Sequence, residues 1–173
     1  MIEMSEPAIR LQGEVIGHPD GPRVLFHAWT AGVVSDRDLR GLIPDAWIRS
    51  GNDQPEQVIG TQHWVAMFRT AGFVSQPTSL IAPVDTVTVY RGAPEQRSRG
   101  MAWSTNINAA EQHRQRCEKF NETALLYTAT IEPRGVLALF RSHREDEVVL
   151  DPQFLIDHRP TDPPTNRTSR RVQ

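Results

Sequence analysis

The chain has 173 residues, of which 38% are hydrophobic, and this length and composition fit one globular domain. Its formal net charge of −2 points to neither a nucleic acid nor a membrane as partner, and it lacks the run of ~20 apolar residues that a membrane span needs. Cys117 is the only cysteine, which excludes an internal disulfide and a thiolate metal cluster within one chain.

The first half of the chain is predicted to become helical after an irregular start. Glycines and prolines in the first ~25 residues predict a short strand or an extended arm with turns. Apolar residues then recur at three- and four-residue spacing over 36–49, which predicts an amphipathic helix that Pro44 shortens or kinks. A second helical stretch is predicted over 55–72, with a proline at its start and a glycine at its stop. Trp47 and Trp64 are predicted to be core residues of this helical part.

After Pro83 the sequence becomes rich in β-branched and aromatic residues. This pattern predicts strands over 86–90, 101–104, 125–131, 135–140 and 147–150. Asn106 is a candidate cap for a helix between the second and third of them, over 107–120. From residue 158 onward, prolines and arginines lie among polar residues without an apolar period, which predicts disorder.

These elements together predict an α+β fold, with helices first and strands second. We expect one domain over residues 1–157, followed by a disordered tail over 158–173. Within the domain, the helical part covers about 30–80 and the strand-rich core about 84–152.

Three short segments of the strand-rich core combine residue types suited to chemistry, each at the end or mouth of a predicted strand. They are Tyr90-Arg91-Gly92, Trp103-Ser104-Thr105-Asn106 and Glu145-Asp146-Glu147. On an extended segment, residues two positions apart face the same side, so Glu145 and Glu147 are expected to point into one cleft.

In order and spacing, these segments resemble the arginine–serine–glutamate class of ADP-ribosyltransferases, which includes many bacterial toxins. In that family an arginine ends the first core strand, a Ser-Thr-Ser-like strand follows, and a Glu-x-Glu turn enters an apolar strand. The matching residues are Arg91, Ser104 with Thr105, and Glu145 with Glu147; the third Ser-Thr-Ser position is Asn106 here. The resemblance covers roughly residues 84–152. It implies a split β-sandwich core that binds NAD⁺ as a substrate, without a metal ion.

The resemblance assigns the catalytic work to the glutamates and the serine. Breaking the nicotinamide–ribose bond develops positive charge on the sugar, and Glu147 would stabilise that charge and bind the ribose 2′-hydroxyl. Ser104 would hydrogen-bond Glu147 and fix its rotamer. Glu145 would orient the acceptor or take up its proton.

The remaining motif residues are assigned to NAD⁺ binding. The guanidinium of Arg91 would bind the phosphates or the adjoining ribose, and the backbone of Gly92 would bind the nicotinamide carboxamide. Thr105 would support the corner between strand and helix. Tyr90 and Trp103 are candidates for stacking on nicotinamide, with packing in the core as the alternative.

Each segment also has a purely structural interpretation. Arg91 would then be an ion-pair partner of Glu147 or Asp85, Ser104-Thr105-Asn106 a helix cap, and the segment before the last predicted strand a solvated turn. The occurrence of all three in the order typical of the family favours the catalytic interpretation.

In this family a Glu-x-Glu pair goes with transfer to guanidinium groups. The expected function is therefore mono-ADP-ribosyl transfer from NAD⁺ to an arginine of a target protein, with a protein favoured over a nucleic acid as acceptor. Two alternatives stay open: an NAD⁺ glycohydrolase, and a non-catalytic domain of this fold that binds a protein or nucleotide. The acidic segment Met1–Glu6 differs from a signal peptide, so we expect a cytoplasmic location in a bacterium or a phage-infected cell.

Overall fold

The computed structural model describes residues 4–50, 54–141 and 146–164, which form six α-helices and seven strands of one sheet. The helices are α1 (Glu6–Val15), α2 (Gly21–Thr30), α3 (Asp36–Ile48), α4 (Pro55–Ile59), α5 (Thr61–Ala71) and α6 (Ile107–Lys119). The strands are β1 (Val74–Gln76), β2 (Val87–Ala93), β3 (Ala102–Ser104), β4 (Leu125–Ile131), β5 (Val136–Arg141), β6 (Asp146–Leu150) and β7 (Leu155–Pro160). The α+β class is confirmed, while the split β-sandwich stays a prediction.

Helices α1 and α2 occupy most of residues 6–30, so the prediction of a strand or extended arm at the start of the chain was wrong. Ser5 caps α1, since its hydroxyl accepts the Ala8 N–H at 3.4 Å. Pro7 and Pro22 lie in the first turns of α1 and α2, where a missing N–H does no harm. Gly17, with φ of +72°, lies between the two helices. The prolines and glycines thus mark helix ends, which the sequence pattern alone does not distinguish from turns.

Helix α3 begins at a capping box and buries its apolar face. The Ser35 hydroxyl accepts the Asp38 N–H, while the Asp38 carboxylate accepts the Ser35 N–H at 3.2 Å. Pro44 lies inside the helix without ending it. Trp47 is only 3% exposed and meets the ring of Trp64 edge-on, with ring centroids 4.8 Å apart. The predicted helix and the predicted burial of both tryptophans are confirmed.

The sheet brings the three motif strands together at its centre. Its strand order is β1-β5-β6-β3-β2-β4-β7, with β1 parallel to β5 and all other pairs antiparallel. Strands β2, β3 and β6, which carry or adjoin the three segments, are therefore neighbours. One apolar cluster joins the helical part to one face of the sheet, and a second cluster contains Val89, Trp103 and Val148 of the opposite face.

Strand β7 corrects the boundary of the predicted tail. It includes His158, Arg159 and Pro160, which the sequence pattern assigned to a disordered segment. The strand pairs with β4 at the sheet edge, where a proline without an N–H is tolerated. The His158 ring stacks on the Tyr127 ring with centroids 5.1 Å apart. Pairing with a neighbour therefore orders a polar segment that has no apolar period of its own.

None of the described helices combines the length and the apolar character that crossing a membrane would require.

Candidate functional site

Backbone register aligns residues from the three motif segments in one row across the sheet. Tyr90 on β2 lies directly opposite Ser104 on β3, and Ser104 lies directly opposite Glu147 on β6. Directly opposite residues of antiparallel strands extend their side chains to the same face, with Cβ atoms roughly 4.5–5.5 Å apart. Residues separated by up to 57 positions in sequence thus become neighbours because the strands pair in this register.

A cavity of about 320 Å³ lies between this row and helix α6. Its volume is at the lower end of the roughly 300–1,000 Å³ that is typical of small-molecule sites. Six of the eight predicted site residues line it: Tyr90, Arg91, Gly92, Trp103, Ser104 and Glu147. Thr105 is exposed and is not part of the lining, and Glu145 lies outside the described residues.

Helix α6 supplies the wall opposite the sheet. Asn106 caps the helix as predicted, since its side-chain oxygen accepts the Asn108 N–H at 2.9 Å. Along with the C-cap residue Phe120, five residues of the helix line the cavity: Ala109, Ala110, His113, Arg116 and Cys117. Cys117 is buried, with its sulfur 3.7 Å from Nδ1 of His113. The sequence predicted the helix, but not which of its faces meets the site.

Gly92 allows α6 to approach the sheet closely. A Cβ built on Gly92 would lie 2.2 Å from the carbonyl oxygen of Ala110 and 2.5 Å from the backbone nitrogen of Arg114. Both atoms belong to the helix backbone, which cannot move aside without shifting the whole wall. The glycine therefore sets the distance between sheet and helix at this end of the cavity.

The Glu147 carboxylate is bound by a residue that the sequence did not indicate for this role. Trp47 of α3 donates its indole N–H to Oε1 of Glu147 at 2.7 Å. The predicted bond from Ser104 to Glu147 stays a prediction, and the Ser104 hydroxyl accepts the Asn106 backbone N–H at 3.0 Å. That bond tightens the turn between β3 and α6, which agrees with the cap interpretation of this segment.

Arg91 is an ion-pair partner, but of a different acid from those predicted. Its Nη2 lies 2.9 Å from Oε1 of Glu56, and both side chains are largely buried, with 13% and 10% exposed. Arg91 also donates to the carbonyl oxygens of Arg97, at 3.0 Å, and of Ala102. The proposed pairing with Glu147 or Asp85 was therefore wrong.

Glu56 connects Arg91 to the start of β3. While one of its carboxylate oxygens binds Arg91, the other accepts the Met101 backbone N–H at 2.5 Å. A buried carboxylate that receives a guanidinium and a backbone N–H has its charge well compensated. The adjacent Gly100 has no room for a Cβ, which would lie 2.4 Å from Oε1 of Glu56. Glu56 was missed because it is one acid in the first turn of a short helix.

Trp103 packs in the core. Its indole is 3% exposed, belongs to the apolar cluster on the sheet face away from Ser104, and donates to the Gly100 carbonyl at 2.7 Å. This burial favours the packing interpretation over stacking on nicotinamide. Tyr90 lies on the same face as Ser104 and is half-buried at the cavity, so the geometry is compatible with its predicted role.

Known proteins provide no template for this site. No family model, curated protein or solved structure gives a significant match to the chain. Within residues 4–50, 54–141 and 146–164, no three His, Cys, Asp or Glu side chains are grouped so as to bind a metal ion. The chemistry of the cavity therefore has to follow from its own residues.

Those residues combine a carboxylate, guanidinium groups and aromatic rings around a space of small-molecule size. Glu147 is half-buried beside the neutral Trp47 donor, and Arg116 contributes a guanidinium group to the lining. Arg91 lines the cavity as part of its ion pair with Glu56. Such a cavity suits a ligand that carries phosphates and develops positive charge next to a carboxylate during its reaction.

Proposed function

We propose that the chain is a mono-ADP-ribosyltransferase that transfers ADP-ribose from NAD⁺ to an arginine of a target protein. The observation that carries the proposal is the row of Tyr90, Ser104 and Glu147 in a cavity that Arg91 and Gly92 also line. The resemblance of the motifs requires these residues to share one site, although they come from three separate segments. Segments with unrelated structural roles would not be expected to line the same cavity.

In the proposed reaction, the bond between nicotinamide and the ribose C1′ breaks and nicotinamide leaves as a neutral molecule. The sugar passes through a cation-like transition state related to that of glycoside hydrolysis. A carboxylate fixed beside this cation stabilises the transition state more than the ground state and so accelerates the reaction. Glu147 has this role. The acceptor guanidinium then forms the new bond to C1′ and loses a proton.

Binding of the dinucleotide is assigned to the arginines and to the β2 backbone. Arg91 and Arg116 provide guanidinium groups for the pyrophosphate oxygens. Gly92 lines the cavity, and the resemblance assigns its backbone to the nicotinamide carboxamide. Arg91 is anchored by Glu56, so its position is fixed before the substrate arrives.

The acceptor class is tested with a matched pair of small molecules. Agmatine carries a guanidinium group where putrescine carries an amine, on the same four-carbon chain. With NAD⁺ labelled in its adenine part, we expect labelled ADP-ribosyl-agmatine, little or no putrescine adduct, and labelled protein bands in a cell lysate. Free ADP-ribose as the sole product would instead indicate an NAD⁺ glycohydrolase. No turnover of NAD⁺ under any condition would indicate a non-catalytic domain.

A further inference from the structure

We infer that Trp47 is a positioning residue, whose indole N–H orients the Glu147 carboxylate for the reaction; the inference rests on the proposed function. Trp47 precedes Glu147 by 100 residues and belongs to the helical part, which carries none of the motifs. The inference gives that part of the molecule a role in catalysis.

The bond itself has favourable geometry. Nε1 of Trp47 lies 2.7 Å from Oε1 of Glu147, a distance typical of a strong hydrogen bond to a charged acceptor. The indole is 3% exposed, so water does not compete effectively for its N–H. An indole can only donate, so the bond selects the carboxylate as acceptor and fixes the rotation of the Glu147 side chain.

The Trp47 indole is itself held in place by packing against other aromatic rings. The ring of Trp47 meets the ring of Trp64 at 84° and that of Phe68 at 72°, with centroids 4.8 and 5.6 Å away. Trp64 and Phe68 are themselves fully buried on α5, at 0% and 1% exposure. The donor is therefore attached to a rigid apolar cluster rather than to a mobile surface side chain, which is the kind of support that a precise site requires.

A neutral donor suits this position better than a cation. A lysine or arginine beside Glu147 would neutralise the charge that is needed to stabilise the cation-like sugar. The indole N–H stabilises the ionised carboxylate and leaves its net charge in place.

The test uses two tryptophan variants that differ in one respect. Trp47→Phe and Trp29→Phe each remove one indole N–H that donates to a carboxylate. The Trp29 N–H donates to Oδ1 of Asp36 at 2.9 Å, and its ring contacts that of Phe26. Trp29→Phe therefore reproduces the loss of an indole–carboxylate bond at a place away from Glu147.

We expect Trp47→Phe to lower the kcat for nicotinamide release by roughly ten- to a hundredfold, with the KM for NAD⁺ unchanged within about threefold. Trp29→Phe should keep the wild-type kcat within about threefold. Equal losses in the two variants, or no loss in Trp47→Phe, would overturn the inference while leaving the proposed function intact.

A second readout does not depend on turnover. In a ¹⁵N–¹H NMR spectrum the chain has four indole signals, one for each tryptophan. Glu147→Gln should shift the Trp47 indole signal strongly and the signals of the other three tryptophans little. An unmoved Trp47 signal would overturn the inference. Absence of nicotinamide release from the wild-type protein would overturn the proposed function and the inference together.

Discussion

The helical part and the strand-rich part of the molecule contribute to the candidate site in different ways. Every motif lies in the strand-rich part, where pairing of β2, β3 and β6 aligns Tyr90, Ser104 and Glu147. The helical part has no motif, but it supplies Trp47 to Glu147 and Glu56 to Arg91, across 100 and 35 positions of sequence. Motifs thus mark the residues proposed to face the substrate, whereas the residues that support them come from elsewhere in the chain.

Substitutions in the helical part and in the strand-rich part are therefore expected to have different effects. In the helical part, substitutions should act on stability, or on the site through Trp47, Glu56 and the cavity-lining Gln54. In the strand-rich part, substitutions at the motif row should act on the cavity directly.

The largest expected effect is on the stability of the helical part. Phe68 is 1% exposed and packs against both Trp47 and Trp64. Phe68→Ala leaves a cavity in this cluster and should lower the free energy of unfolding by about 4 kcal/mol, measured by urea denaturation. The exposed Phe120, at 81%, provides the control, since Phe120→Ala should change the stability by less than about 0.5 kcal/mol. Similar losses in the two variants would contradict the assignment of the core.

The next effect concerns the ion pair that joins the two parts. Glu56→Gln leaves the buried Arg91 guanidinium without its counter-charge and should destabilise the protein by about 3 kcal/mol. Glu122 pairs with Arg97 and has 43% of its side chain exposed, so Glu122→Gln should cost no more than about 1 kcal/mol. Urea unfolding of the two variants measures the difference. Equal stabilities would show that the contact with Arg91 is unimportant.

A smaller effect is expected at the contact between sheet and helix. Gly92→Ala forces a Cβ against the α6 backbone, at 2.2 Å from the Ala110 oxygen, and should destabilise the protein by about 2 kcal/mol. Gly13 in α1 has no atom within 4 Å of the corresponding Cβ, so Gly13→Ala should be neutral or stabilising. Thermal unfolding compares the two. A wild-type melting temperature for Gly92→Ala would contradict the close approach of α6.

The smallest expected effect is a loss of stability at low pH that originates at Asp38 in the helical part. Burial alone would raise the pKa of Asp38, but hydrogen bonds from Ser35 and Ser5 lower it from 3.8 to about 2. A carboxyl with a lowered pKa contributes stability above its unfolded pKa, and the contribution disappears as the pH falls from about 4 to about 2. Allowing for screening by nearby solvent, we expect about 1 kcal/mol.

Asp38→Asn is the variant that isolates this contribution. In urea unfolding, it should be less stable than the wild type at pH 5, and the difference should shrink by pH 2.5. A difference that stays constant over this range would show that the hydrogen bonds to Asp38 do not depend on its charge.

Local sequence patterns predicted most of the elements and only part of the site. Apolar spacing predicted α3, the Asn106 cap predicted α6, and runs of β-branched residues predicted β2 and β4, because these signals lie within or next to one element. Helices α1 and α2 were missed because prolines and glycines at helix ends resemble turns. Strand β7 was missed because its order depends on pairing with β4 at the sheet edge.

The supporting residues of the site had no sequence signal. Nothing near Trp47 indicates that its indole reaches a carboxylate 100 positions away, and burial alone predicted an ordinary core residue. Glu56 is likewise one of 21 acidic residues in the chain. Such contacts arise from packing between distant segments, which a single sequence does not encode in any local pattern. The motifs, in contrast, predicted the residues that share the cavity, because the strand ends that carry them pair side by side.

The most direct test of the central claim is nicotinamide release from NAD⁺ by the purified wild-type protein and by Glu147→Gln. Glu132→Gln is the control, a carboxylate on the turn between β4 and β5 that pairs with Arg134 outside the cavity. We predict release by the wild type and by Glu132→Gln, and a loss on the order of 10²–10³ in Glu147→Gln. Release that is equal in all three proteins, or absent from the wild type, would contradict the assignment of Glu147 as the catalytic residue.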